Sequence, residues 1–200
     1  YQTFNTGIGY RSIVASAFIL GINAFYDYTT YNGHQRVGAG IEILGVDFEG
    51  RANSYMRASG PKEIGSSGVE RVMTGFDLEA GGSLIPWDPA DRLRVYAGYQ
   101  RFNGEYGDDF KYFSIRLAYP LSRYFEIEAK ALKDRETDEK FYIQINAGTS
   151  IGVGRRRSGA DSAAALRKKL LQPVERENDI LIEQKSGSAG TLSIKVKRGT

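Results

Sequence analysis

Cysteine is absent from the 200-residue sequence, which excludes a disulfide scaffold, a thiol nucleophile and any zinc site built on cysteines. The single histidine, His34, has no second imidazole to complete a metal set. No run approaches the ~18 apolar residues of a spanning helix; the most apolar stretch, residues 17–25, is broken by Gly21 and Asn23. Charge of one sign is lacking as well. A net charge of +3 and a pI near 9.0 give no concentrated basic face, so the balance does not argue for nucleic acid. Mean hydropathy is −0.39, the average of a soluble chain. The excess lies in glycine, 24 residues against a usual ~7%, and in 13 tyrosines and 10 phenylalanines. That surplus points to an all-β chain. The sequence starts at Tyr1 without a leader, so it reads as a mature or excised segment, and missing targeting signals say nothing about its location.

Alternate residues carry a period-2 signal. From Phe18, one face reads Phe18, Leu20, Ile22, Ala24, Tyr26, Tyr28, and the other Ile19, Gly21, Asn23, Phe25, Asp27. The same alternation recurs over residues 36–43, 76–84, 112–119, 125–131 and 141–148, and more weakly over 4–11, 46–57 and 93–102. This predicts about nine strands of roughly ten residues in the first 150 positions. The apolar faces are free of charge except at their ends. The polar faces carry both signs, among them Asp27, Arg36, Glu42, Arg51, Asp77, Glu79, Arg116, Glu126 and Glu128, interleaved with glycine, including Gly38 and Gly40.

Such strands suit an antiparallel transmembrane β-barrel, with lipid on the apolar face and a polar lumen. A soluble sandwich or open meander, its charged face turned to water, is the alternative that alternation alone leaves open. Connection lengths favour the barrel. Turns at Gly45 and at Pro120 and Leu121 are very short, whereas those over residues 29–33, 58–68, 103–108 and 133–138 are longer and polar. Short turns on one rim and long loops on the other are the outer-membrane layout. Pro86, Trp87, Asp88 and Pro89 depart from the rule. Tyr26, Tyr28, Trp87, Tyr119 and Tyr124 are candidate interfacial girdle residues.

After residue 150 the composition changes. Arg155, Arg156 and Arg157 precede a predicted helix capped by Asp161 or Ser162 and stopped after Gln172 by Pro173, with Leu166 and Leu170 on one face. The basic run, with Lys168 and Lys169, lacks interleaved aromatics and is read as lying at the membrane edge or lining the pore. Residues 180–183 and 191–197 read as the first hairpin of a further domain. His34 follows Asn32 and Gly33, a hairpin-turn signal, and is read as a loop residue. Glu126 with Glu128, and Asp77 with Glu79, share faces as acid–base pairs would, yet lie among arginines and are read as ion-paired packing. The glycine pairs, including Gly38 and Gly40, lack a following helix and are read as making room for a linker or another backbone.

Residues 21–28 (GINAFYDY), followed by His34, Arg36, Gly38, Gly40 and Glu42, resemble the strand–loop–strand signature of the intimin/invasin inverse autotransporter β-domain. So do residues 5–11 (NTGIGYR), Gly75, Phe76 and Asp77 followed by Leu84, Ile85 and Pro86, and residues 174–180 (VERENDI). The last stretch resembles the family's linker motif, with Val174, Glu175, Arg176, Asn178 and Ile180 in it; Gln184 departs from it, standing where tyrosine is common. The resemblance implies a twelve-stranded outer-membrane barrel, about nine strands of it present here, with a C-terminal helix and linker threading the lumen. Residues 1–150 are then a partial barrel, 151–185 the helix and pore-threading linker, and 186–200 the start of a passenger-side β segment. The implied role is non-enzymatic: anchoring and exporting a C-terminal adhesin in cis, with outer-membrane lipid, the barrel-assembly machinery and periplasmic chaperones as partners. No cofactor, metal or nucleic acid is expected. A general porin, or an outer-membrane hydrolase using the carboxylates, are the alternatives.

Overall fold

A computed structural model of the chain describes residues 2–15, 17–65, 68–85, 93–122, 125–134, 140–147, 160–186 and 193–199. The first strands are β1 (Thr3–Val14), β2 (Phe18–Thr29), β3 (Gln35–Leu44) and β4 (Phe48–Arg57). A short hairpin follows, β5 (Lys62–Ile64) and β6 (Gly68–Val72). Next come β7 (Thr74–Ser83), β8 (Arg94–Asn103), β9 (Phe110–Pro120), β10 (Phe125–Asp134) and β11 (Lys140–Ala147). Nine of these form one antiparallel sheet in the order β1-β2-β3-β4-β7-β8-β9-β10-β11, an up-and-down meander from which only β5 and β6 depart. The sheet ends at β1 and β11 and does not close on itself.

Burial is inverted relative to a water-soluble protein. Asp27 and Arg36 are completely buried, and Glu42, Glu49, Asn53, Asp77, Arg116 and Glu128 nearly so. Ile22, Ile41, Ile115 and Ile143, by contrast, are exposed, Ile143 to 82%. A continuous apolar belt of this kind requires a lipid covering rather than water. No described helix is long and apolar enough to cross a membrane, so crossing falls to the strands.

Register explains much of the glycine. On the inner face the residues directly opposite one another run Gly21, Glu42, Arg51, Glu79, Gly98, Ser114 across six strands. A Cβ on Gly21 would overlap the Glu42 carboxylate, one on Gly38 the Phe25 ring and the Ser54 carbonyl, and one on Gly40 the amides of Asn53 and Asn23. These glycines make room for side chains and backbone of neighbouring strands.

The short turns follow Val14, Leu44 and Pro120, and the longer connections follow Thr29, Arg57 and Asn103. Trp87, Tyr124, the Pro86–Pro89 turn and the loop at residues 135–139 lie outside the described residues. Tyr26 and Tyr119 are exposed on the apolar face. Residues 58–68, read as loop, contain β5 and the start of β6; β6 pairs with β5 on one edge and with a distant segment on the other. That segment follows the helix α1 (Ala160–Lys169) and comprises β12 (Ile180–Ser186) and β13 (Ser193–Gly199), which pair with each other as the sequence suggested. β12 also pairs with β6, giving a second sheet in the order β13-β12-β6-β5. The helix begins at Ala160, so Asp161 and Ser162 lie within its first turn rather than at its cap. Successive i to i−3 bonds then carry the chain from Leu170 to Gln172 ahead of Pro173. Arg155, Arg156 and Arg157 lie outside the described residues.

Placing a charge in the apolar belt separates this fold from a water-exposed sheet, where such a change is nearly neutral. Ile115→Arg, at the middle of β9, is expected to lower unfolding free energy in lipid vesicles by ~2–4 kcal/mol, read from urea titrations.

Candidate functional site

The segment from α1 to β12 lies along the inner face of the nine-stranded sheet and runs from the short-turn rim to the long-loop rim. At the short-turn rim, Leu166 is completely buried against Ile19 and Leu44, with Ile13, Val46 and Leu170 around them. Lys169, one turn on from Leu166, donates to the Gly45 carbonyl at 2.6 Å and to Glu49 at 2.7 Å. The carbonyls at and just past the helix end lack the partner that a following helical turn would give. Arg11 supplies one, donating to the carbonyls of Lys169 (2.9 Å), Leu170 (3.2 Å) and Gln172 (2.5 Å). Glu42 holds the same guanidinium through both carboxylate oxygens, at 2.5 and 3.0 Å. A cation at this end also meets the negative pole of the helix dipole.

Further along, the linker is extended and the wall satisfies its backbone. Asn53 donates to the Glu175 carbonyl at 3.2 Å. Arg36 donates to the carbonyls of Glu177 (2.6 Å) and Asp179 (2.8 Å), and the Glu177 N–H donates to the Tyr55 hydroxyl at 2.8 Å. Asp27 receives Arg36 on one side (2.7 Å) and the linker's own Arg176 on the other (2.7 Å). Arg176 stacks over the Phe25 ring at 4.1 Å and Arg36 over the Tyr55 ring at 4.5 Å. Tyr55 in turn donates to Asp77, which also accepts from Asn53 at 2.8 Å.

Beyond the linker the inner wall is a ladder of ion pairs. Arg51 bridges Glu49 and Glu79, and Arg116 bridges Glu79 (2.6 Å) and Glu128 (2.5 Å) while stacking over Tyr96 at 4.0 Å. Arg94 pairs with Glu49, and the Tyr96 hydroxyl donates to the same carboxylate at 3.1 Å. The carboxylates singled out as acid–base candidates are thus held by different fixed donors, Asp77 by Tyr55 and Asn53, Glu79 and Glu128 by arginines. Among the described residues no group of three His, Cys, Asp or Glu is arranged to hold a metal.

The sequence-derived residues divide accordingly. Asp27 and Arg36 meet the linker directly. Asp77 accepts the linker's Glu177 N–H at 3.4 Å while holding Tyr55 and Asn53, and Glu42 acts one step back, through Arg11. Arg51, Glu79, Arg116 and Glu128 form the ladder, with Glu126 half-buried two residues before Glu128 on β10. Asn23 is buried beside Gly40, and among the described residues its side-chain oxygen finds no hydrogen-bond partner. Of the linker motif, Glu175 offers its carbonyl, Arg176 its guanidinium, and Ile180 is completely buried; Val174 is half-buried and Asn178 exposed. Sequence reasoning missed Arg11, Asn53 and Tyr55 as linker contacts. The signal for two of them was present, since Asn53 and Tyr55 share the parity of Arg51 on β4.

His34 does sit in the β2–β3 loop, just after a turn with positive φ at Asn32 (51°) and Gly33 (62°), but it is completely buried. Its Nε2 lies 3.4 Å from Glu70 of β6, whose carboxylate also accepts from the Tyr31 hydroxyl (2.7 Å) and the Asn32 amide (2.8 Å). Burial holds His34 below its ordinary 6.5, outweighing the pull of Glu70, with Lys62 acting in the same direction as burial.

Residues 1–178 match the sequence family described as inverse autotransporter, beta-domain. The chain belongs to this family. An attaching and effacing protein homolog of Escherichia coli (strain K12) is 32% identical over 107 residues, covering 52% of this chain and 34% of that protein. The chain thus spans about a third of the length of that curated relative. A chain from work on the in-meso crystallisation of membrane proteins superposes with a TM-score of 0.75 at 21% identity, covering 92% of this chain and 80% of its own length. That likeness concerns the fold alone. The inverse autotransporter domain resides in the bacterial outer membrane, and its family is one of membrane translocators and anchors rather than of enzymes.

Two outcomes follow from this geometry. Arg36→Ala strips a guanidinium from a fully buried carboxylate and two linker carbonyls, and is expected to cost about 3–5 kcal/mol in denaturant titrations. For His34, a folded-state pKa below the unfolded one gives stability that is present above 6.5 and lost as pH falls through the folded value. The wild-type unfolding midpoint should therefore drop below pH 6.5 by a component that His34→Gln lacks.

Proposed function

We propose that this domain is the outer-membrane anchor and translocator of an inverse autotransporter, exporting a C-terminal adhesin-type passenger through its lumen and displaying it on the bacterial surface. The observation that carries the reading is the path of the chain from α1 to β12. It crosses the inner face from the short-turn rim to the long-loop rim with its carbonyls taken by Arg11, Asn53 and Arg36. In outer-membrane barrels those rims face the periplasm and the exterior respectively. Recognition through backbone carbonyls is tolerant of sequence, which suits a channel through which many different residues must pass. The periplasm offers no ATP, so folding of the passenger outside supplies the bias for outward movement.

A general porin is the second reading. It gains nothing from a buried helix and an ion-paired linker in its lumen, whereas a translocator that has finished export needs its pore filled. The partners that go with the first reading are outer-membrane lipid, periplasmic chaperones, the barrel-assembly machinery and the passenger in cis.

The test is electrical. Full-length protein in a planar bilayer is expected to conduct poorly, and deletion of residues 161–185 to raise conductance several-fold. Unchanged conductance after the deletion would show that this segment does not fill the pore.

A further inference from the structure

Beyond the lumen, β12 is buried on both faces. Ile180, Leu181, Ile182 and Glu183 are each at most 1% exposed, four consecutive residues of a strand that is not part of the nine-stranded sheet. One edge pairs with β6, from Ile182 opposite Val72 to Ser186 opposite Gly68, and the other edge pairs with β13. Ile180 and Ile182 pack with Val72 and Tyr31. Leu181 points to the other side, into a cluster with Phe25, Tyr55, Met73 and Phe102.

Glu183 is the discriminating residue. Its buried carboxylate accepts the backbone N–H groups of Glu105 and Tyr106 in the β8–β9 loop, each at 3.0 Å. Its register partner Arg71 donates to the Glu105 side chain, so the loop and β6 are joined through the same place. A carboxylate is buried at this depth only where donors await it. The loop that carries these donors is also tied to β4, since Arg57 donates to the Glu105 side chain at 2.9 Å. β6 is braced from its opposite face by Glu70, which the Tyr31 hydroxyl and the Asn32 amide hold to the β2–β3 loop.

We propose that the long-loop rim carries a strand-binding seat, made by β6 and the β8–β9 loop, whose ligand is the chain's own emerging segment Ile180–Ser186, and that seating latches the threaded chain at the pore exit. The inference rests on the export reading above and adds to it where the chain is held once outside. Binding is by strand addition: the ladder to β6 supplies affinity, and apolar residues at 180 and 182 with an acid at 183 supply specificity. A pull on the displayed chain is then resisted by the β6–β12 ladder before it reaches the hydrogen bonds in the lumen.

The chain has no cysteine, so introduced pairs are unambiguous. In full-length protein on intact cells, Val69→Cys with Lys185→Cys joins register partners, one half-buried and the other exposed. A membrane-impermeant oxidant is expected to crosslink this pair but not Val69→Cys with Gln184→Cys, whose side chains fall on opposite faces. Adding Ile182→Asp should slow crosslinking roughly tenfold, and the milder Glu183→Gln severalfold, with the barrel's heat-modifiable gel mobility unchanged. If both cysteines react with an impermeant maleimide yet fail to crosslink, the seat is overturned and export stands. Crosslinking that neither Ile182→Asp nor Glu183→Gln slows also overturns the seat. If the cysteine at 185 is not labelled from outside while that at 69 is, the export reading falls, and the seat with it.

Discussion

Every charge on the inner face has to find its partner inside the protein, and the rest of the structure depends on this. In a soluble domain the apolar side chains pack on one another and set the positions of everything else. Here they point outward, and the interior is made of groups whose desolvation costs several kcal/mol each unless they are paired and hydrogen-bonded. Asp27 shows the consequence. It is completely buried between two guanidiniums, and only one of them, Arg36, belongs to the sheet; the other, Arg176, arrives with the linker. Helix α1 contributes likewise, because Lys169 joins Arg51 and Arg94 around Glu49. The threaded segment is a component of the electrostatic interior, and its removal leaves buried carboxylates short of cations.

The same constraint explains which parts of the structure were legible in the sequence. Period-2 alternation separates a lipid-facing set from an inward set, and all nine long strands fall within a few residues of where it put them. Alternation gives parity, however, and not register. That Glu42 lies opposite Arg51 and Arg51 opposite Glu79 follows from the lengths of the turns and from side-chain fit, as where Gly21 leaves room for the Glu42 carboxylate. The contribution of Arg11 was invisible for a related reason. It is one of several arginines on the polar faces, and its neighbours of interest are carbonyls more than 150 residues away. β6 gives no signal in the sequence because residues 68–72 are few and their strand partner lies beyond Ile180. His34 was placed correctly in a loop, but its burial depends on Glu70, from a different connection.

The path of the C-terminal segment makes sense as three successive answers to one question, where its backbone hydrogen bonds go. In α1 the answer is internal, up to the last carbonyls. In the linker no strand among the described residues pairs with it, and the answer is side chains of the wall: Arg11 at the helix end, then Asn53, Tyr55 and Arg36. In β12 it becomes a conventional ladder with β6 and β13. The middle answer is the unusual one. A strand added to the sheet inside the lumen would be bound along its whole length and would hold its register too firmly to slide. Separate side chains, each binding between one and three backbone groups, hold an extended chain without fixing its register along a whole strand. Under the proposed export, wall side chains that each bind a few backbone groups suit passage and the ladder with β6 suits retention, and the change from one to the other falls at Ile180.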